Sequence, residues 1–332
     1  MRVLAAADKF KGTATAAQVC AAIGHACWSL NIDCTEIPMA DGGEGTLAVL
    51  GGSNRTSMVT GPLGTPVQAE WRLHRGTAVI EMAQASGLTL AGGPDNNDPL
   101  AATTRGTGEL IDQALNAGAK KIIVCLGGSA TTDGGLGALK AISTPARLRA
   151  VEFLVACDVD TTFVDAARVF APQKGATRAQ VELLTGRLEK LAQSFQRDYN
   201  VDVTNIQGSG AAGGLAGALV ALGARLIPGF DLVADETGFY DAVREHDIIV
   251  TGEGLLDDTS YEGKVVGSVQ QLAQDAEKKV IAVVGDVDEH MESPHARLLT
   301  TLNLTAIFGA DEAYRNVLRR IEDAMVSYLQ TV

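Results

Sequence analysis

The sequence predicts an α/β protein of two domains: a parallel-sheet domain built from both chain ends, and a mixed α/β domain inserted between them. Three observations carry that expectation. The chain opens β-α-β; it closes on short apolar runs alternating with helical periodicity; and the middle brings Gly/Pro turns separated by β-prone pieces. At 332 residues it also exceeds what one core ordinarily fills. The expected division is 1–52 with 245–332 for the first domain and 53–244 for the insert.

The opening "RVLAAAD" reads as a buried strand, Thr13 to about Leu30 as an Ala-rich helix, and "CTEIPM" as a second strand. Residues 51–85 suggest an antiparallel meander. In "GTGELIDQALNAG", Thr107 is the expected N-cap, Leu110, Ile111, Ala114 and Leu115 share one face, and Gly118 ends the helix. "KKIIVCL" and "EFLVACDV" are buried strands. From Arg178 to Tyr199, Val181, Leu184, Leu188, Leu191 and Phe195 recur at spacings of an amphipathic helix. "GGLAGALVALGARLI" follows as a small-residue helix. "HDIIVTGEG", "KKVIAVVG" and "LTAIFG" are three late strand-like runs, and Val317, Ile321, Met325 and Leu329 mark the closing helix.

A net charge of −13 argues against a nucleic-acid or anionic-membrane surface. It leaves room for phosphate binding, because backbone N–H groups and a few lysines supply local attraction. Aromatic residues are sparse, so the core is aliphatic. The five cysteines contain no CxxC pair and read as buried thiols in a reducing compartment. With no leader-like start and no 18-residue apolar run, a cytoplasmic protein is expected.

In a parallel sheet, ligands gather at the carboxyl ends of strands. Four glycine-bearing segments fall there: "DKFKG" (8–12), "PMADGGEGT" (38–46), "LGGSATTDGG" (126–135) and "VTGEG" (250–254). Each mixes flexible backbone with charge: Asp8, Lys9 and Lys11; Asp41 and Glu44; Asp133; and Glu253, with Asp257 and Lys264 behind it. Together they suggest a site for Mg2+ and a phosphorylated ligand, the parts of phosphoryl transfer. "GSGAAGG" (208–214) matches the dinucleotide fingerprint, but "VDVTNIQ" before it is a poor strand. His25, His74, His246, His290 and His295 are scattered and read as surface or satisfied residues. Neither a Walker A motif nor a protein-kinase catalytic set is present.

As a series, "FKG" (10–12), "PMADGGEGT", "TRGTGEL" (104–110), "GGSATTDGG" (127–135), "ACDV" (156–159), "VFAPQKGA" (169–176), "GSGAAGGL" (208–215), "VTGEG" and "EGK" (262–264) resemble the bacterial type I glycerate kinases. The resemblance implies a Rossmann-like domain built from both chain ends with a second domain inserted, and transfer of the ATP γ-phosphate to D-glycerate, giving 2-phosphoglycerate, with ATP and Mg2+ as cofactors. Under it, Asp41, Lys11 and Asp133 are the expected catalytic residues, and Asp8, Lys11, Gly42, Gly43 and Glu44 bind the acid. Gly127, Gly128, Ser129, Thr131, Lys174 and Lys264 bind phosphates, and Asp133, Glu253 and Asp257 contact the metal. After "TGEG" the family usually has Arg, whereas this chain has Leu255, with an added carboxylate at Asp258. Small molecules are the expected partners, with neither nucleic acid nor membrane; homo-oligomerisation stays open. Two other readings stand beside this one: a catalytically weakened homologue binding a small acid or nucleotide, and a dinucleotide-dependent oxidoreductase.

Overall fold

A computed structural model describes residues 1–294 and 299–332; His295 lies outside the described residues. The chain divides into two compact units, Met1–Asp41 with Phe230–Val332, and Gly42–Gly229.

The first unit is built on a five-stranded parallel sheet of β1 (Arg2–Ala5), β2 (Asp33–Glu36), β9 (Ile248–Leu256), β10 (Lys279–Val287) and β11 (Thr300–Asn303), in the order β11-β10-β9-β1-β2. Alternate residues Val3, Ala5, Ile248, Val250, Ile281 and Val283 pack in one core with the helices Ala16–Ser29 and Val317–Leu329. Leu4, Ile249, Ala282 and Val284, at the intervening positions, are equally buried, so both faces of the sheet are covered. Thr15 starts the first helix through a reciprocal capping box with Gln18.

From β1 the chain goes outward to β2, while β9, β10 and β11 extend the sheet on the other side of β1. The gap between the carboxyl ends of β1 and β9 is therefore a topological switch point, where open parallel sheets take their ligands. "LTAIFG" departs from expectation: Leu304–Phe308 is a helix, and the strand is the more polar Thr300–Asn303. The Asn303 carboxamide oxygen accepts the Ala306 N–H at 3.1 Å and so caps the helix.

The second unit holds a six-stranded sheet in sequential order: β3 (Arg55–Thr60), β4 (Pro66–His74), β5 (Thr77–Glu81), β6 (Lys121–Cys125), β7 (Glu152–Ala156) and β8 (Arg225–Ile227). β3, β4 and β5 form the antiparallel meander, and β5 to β8 run parallel. The helix Arg105–Asn116 buries Leu110, Ile111, Ala114 and Leu115 as its spacing requires, but begins earlier than expected. Thr104 holds the cap position, and Thr107 lies inside with its hydroxyl 2.8 Å from that of Ser86. The run expected as a small-residue helix ends at Ala221, and its tail forms β8. The helix Arg178–Tyr199 is capped by Thr177 and buries Leu184, Leu188 and Phe195, the last edge-on to Phe163 at 5.6 Å.

The expected junctions were at 52/53 and 244/245; the compact units part after Asp41 and after Gly229. Residues 42–52 go with the second unit because buried Glu81, at the end of β5, accepts the N–H groups of Gly45 and Leu47 at 2.9 and 2.8 Å. None of the five cysteines is joined in a disulfide. No helix among the described residues is long and apolar enough to cross a membrane.

Candidate functional site

At the switch point of the first unit, the β1–β9 pairing continues past β1: Ala6 and Asp8 donate their N–H groups to Val250 and Gly252 at 2.7 and 2.9 Å. This brings Asp8 beside Glu253. Gly254 lets the backbone of "DKFKG" lie against it, the position of a Cβ there being 3.3 Å from the Lys11 nitrogen. The first and last of the four glycine-bearing segments thus meet in this unit.

The carboxylates here are electrostatically crowded. Burial pushes the Asp8 carboxyl above its ordinary range; Lys9, with Nζ at 3.6 Å, opposes the shift and the charge of Asp41 adds to it. Burial pushes Glu253 up to about 7, opposed by a Ser260 hydrogen bond and Lys264, and reinforced by Asp8 and Asp257. Glu253 Oε1 is buried with no hydrogen-bond partner. Such a group is relieved by a proton or a cation.

No group of three or more His, Cys, Asp or Glu among the described residues could hold a metal unaided. Mg2+ commonly binds through one or two carboxylates, with water and substrate phosphate completing its shell. The orphaned oxygen of Glu253 fits that partial role. Asp257 is differently employed: its Oδ1 accepts from the Thr259 hydroxyl at 2.6 Å and the Ser260 N–H at 3.1 Å, capping a short turn. Lys264 Nζ holds the same Thr259 hydroxyl at 2.5 Å.

Residues 42–46 of the second segment meet the third segment in the second unit. A Cβ on Gly127 would lie 3.2 Å from Gly43 Cα, so the 42–46 and 126–135 loops touch beyond the ends of β5 and β6. Gly42 is pressed on Ala156 and Gly229, where a Cβ would clash at 2.8 and 2.5 Å. Leu88 and Ala130 pair with Gly128 and Ser86 across the Gly87–Ser129 bridge. Within this frame the N–H groups of Gly127, Gly128 and Ser129 have no acceptor among the described residues, and Gly128 takes a left-handed φ of 61°. Consecutive unsatisfied donors around such a residue form an anion-binding concavity.

Lys174 fastens this loop from inside. It is 2% exposed, and its Nζ donates to Ser129 Oγ at 2.7 Å and to the Thr131 carbonyl at 2.6 Å. Burial pushes its pKa down to about 7, against the pull of Asp133. Asn97 adds bonds to the carbonyls of Ala130 and Lys174.

Asp133, expected to contact metal, spends both oxygens on the fold. Oδ2 accepts from Thr104 N and Oγ1, each at 2.9 Å, and from Gly137 N at 3.1 Å, while Oδ1 accepts from Gly135 N at 3.0 Å. "GSGAAGG" also serves packing. A Cβ on Gly213 would meet the Thr131 carbonyl at 2.0 Å, and the Gly213 carbonyl accepts the Gly134 N–H at 3.0 Å. The segment buttresses the 131–134 loop, and no strand leads into it. His246 is a satisfied buried histidine, bonded to the Ala242 carbonyl and the Thr35 hydroxyl.

Sequence reasoning passed over Glu81 and Asn97. Glu81 closes an apolar strand and resembles an ordinary terminal charge, although it is 4% exposed. A lone carboxylate ending a buried run was the available signal.

A sequence model of the glycerate kinase family matches residues 3–146 and 143–331. Glycerate 2-kinase of Escherichia coli K12 is 36% identical over 95% of this chain and 93% of its own length. A glycerate kinase of Halalkalibacterium halodurans is 39% identical over 88% of this chain and 87% of its own. A crystal structure from Salmonella typhimurium LT2, assigned to glycerate kinase 2, superposes with a TM-score of 0.85 at 33% identity, covering 100% of this chain and 98% of the other.

Proposed function

The chain belongs to the glycerate kinase family, and from that premise we propose that it transfers the γ-phosphoryl group of ATP to the 2-hydroxyl of D-glycerate. The observation that best supports phosphoryl transfer is the row of acceptor-less N–H donors at Gly127–Ser129, a cradle for phosphate oxygens in an acidic chain. Support for the 2-position comes from the E. coli relative, whose name specifies it.

The roles follow the chemistry of each unit. In the first, Asp41 orients the acceptor hydroxyl and takes its proton, and Lys11 receives the glycerate carboxylate. Glu253 contacts Mg2+, with Asp8 adding negative charge beside it. The metal, when bound, neutralises charge on the transferring phosphoryl group. In the second, the 127–129 donors bind phosphate oxygens, and Lys174 and Asp133 are positioning residues that hold the loop. Glu44 and Lys264 are peripheral contributors to acid and phosphate binding. The place of action is the cytoplasm.

Incubation with D-glycerate and Mg·ATP, followed by 31P NMR, tests this. The expected product is 2-phosphoglycerate with stoichiometric ADP. Formation of 3-phosphoglycerate alone would sink the 2-position, and no glycerate-dependent ADP would sink the donor assignment. The Asp257–Thr259–Lys264 cluster favours one second reading, a weakened homologue, since it binds Lys264 to the turn. ATP consumption unchanged by D-glycerate would select it.

A further inference from the structure

Within the second unit lies an open cavity of about 600 Å3 whose rim carries Arg105, Lys140, Arg187 and Lys190. None of the roles above uses these four cations. Four cationic side chains against the single carboxylate of Asp133 is an anomaly in a chain of net charge −13.

The cations are not neutralised as their neighbours are. On the helix Arg178–Tyr199, Arg178 faces Glu182 at 3.8 Å and Arg197 grips Asp198 at 2.7 Å. Between them, Arg187 donates to the Leu100 carbonyl at 2.9 Å, and Lys190 makes no ion pair among the described residues. Lys140 is likewise unpaired among them; Arg105 alone is matched, by Glu109 at 2.9 Å. The rim comes from three separate segments, and the Arg187–Leu100 bond ties two together. Asp133, held by five N–H and hydroxyl donors, offsets only one of the four positive charges. Leu100, Leu136 and Leu191 add apolar surface to the lining, and Thr103 and Ser194 add hydroxyls.

We propose that this cavity binds a multiply charged organic phosphate, the phosphates on the cationic rim and the organic body against the leucines. A nucleoside polyphosphate and a phosphorylated acid share that chemistry, and the site does not depend on which of them is the phosphoryl donor or product.

Titration calorimetry on the full chain tests it with three probes: a non-hydrolysable ATP analogue, 2-phosphoglycerate and tripolyphosphate. The variant is Lys140→Gln/Lys190→Gln, which removes two exposed charges that hold no structural bond. Its thermal midpoint without ligand is expected to match the parent, separating lost binding from lost folding. At least one probe should bind the parent chain and bind the variant tenfold or more weakly, with affinity falling as salt rises. Weakening for the analogue alone identifies a nucleotide site, for 2-phosphoglycerate alone a product or effector site, and for tripolyphosphate as well a site read by charge. Equal affinities in parent and variant, or no binding of any probe to the parent, overturn the proposal.

Discussion

The two units set similar glycine–carboxylate loops at the ends of parallel strands, yet use the carboxylates in opposite ways. In the first, Asp8 and Glu253 are partly buried beside like charges, and one Glu253 oxygen has no partner. In the second, Asp133 and Glu81 are tied down by backbone N–H groups from loops they hold in place. Unsatisfied carboxylates call for a proton or a cation; satisfied ones fix geometry and leave donors such as Gly127–Ser129 for an anion. Motifs that look alike in one dimension thus separate into one half with an unpartnered carboxylate oxygen and one half whose carboxylates are fastened by backbone donors.

The largest expected effect would break the comparison outright. Asp41→Asn should lower kcat for glycerate phosphorylation by about 100-fold, the lower end for a general base. A loss under about tenfold, ~1.4 kcal/mol, would remove Asp41 from the centre of the chemistry. Next comes Asp133→Ala. It severs a part-buried knot of hydrogen bonds and should cost roughly 3 kcal/mol in urea unfolding; a cost under about 1 kcal/mol would mean the knot is not structural. Gly127→Ala places a methyl group where 3.2 Å is available against Gly43. We expect kcat/KM for ATP to fall several-fold with unfolding midpoints nearly unchanged, and an unaltered kcat/KM would count against the phosphate cradle.

Two pH measurements sharpen the contrast. Lys174 sits at about 7, below its ordinary 10.5, so the unfolded chain holds more protons between those values. Its contribution to stability therefore grows from pH 7 to 10.5 and is lost as pH falls through 7. Glu253 sits at about 7, above its ordinary 4.5, and its contribution is lost as pH rises through 7. Lys174→Met and Glu253→Gln should each flatten one of these opposite slopes in urea midpoints measured across pH 5–10. The smallest effect is that of Glu253→Gln, and a variant with the parental slope refutes the corresponding environment.

The strand ends were legible because buried parallel strands are continuous apolar runs, and the glycines marked where each stopped. Which loops meet was only partly legible. The partners of Glu81 lie 36 and 34 residues away, and Thr104 lies 29 residues from Asp133. Such pairings arise from tertiary placement, and nothing in local spacing encodes them. For the same reason the hydrogen bonds that Asp133 accepts from Thr104, Gly135 and Gly137 could not be read from its motif alone. β8 was hidden by its three residues, too short for a period to show. "LTAIFG" misled because an apolar run suits strand and helix alike, and a single cap at Asn303 decides between them.

The bare amides of Gly127, Gly128 and Ser129 also make the loop a reporter of its own occupancy. Backbone hydrogens without acceptors exchange with heavy water nearly as fast as in an unstructured peptide, even when flanked by a rigid frame. An oxyanion seated on them would slow that isotopic clock at three adjacent positions while leaving β6 beneath unchanged.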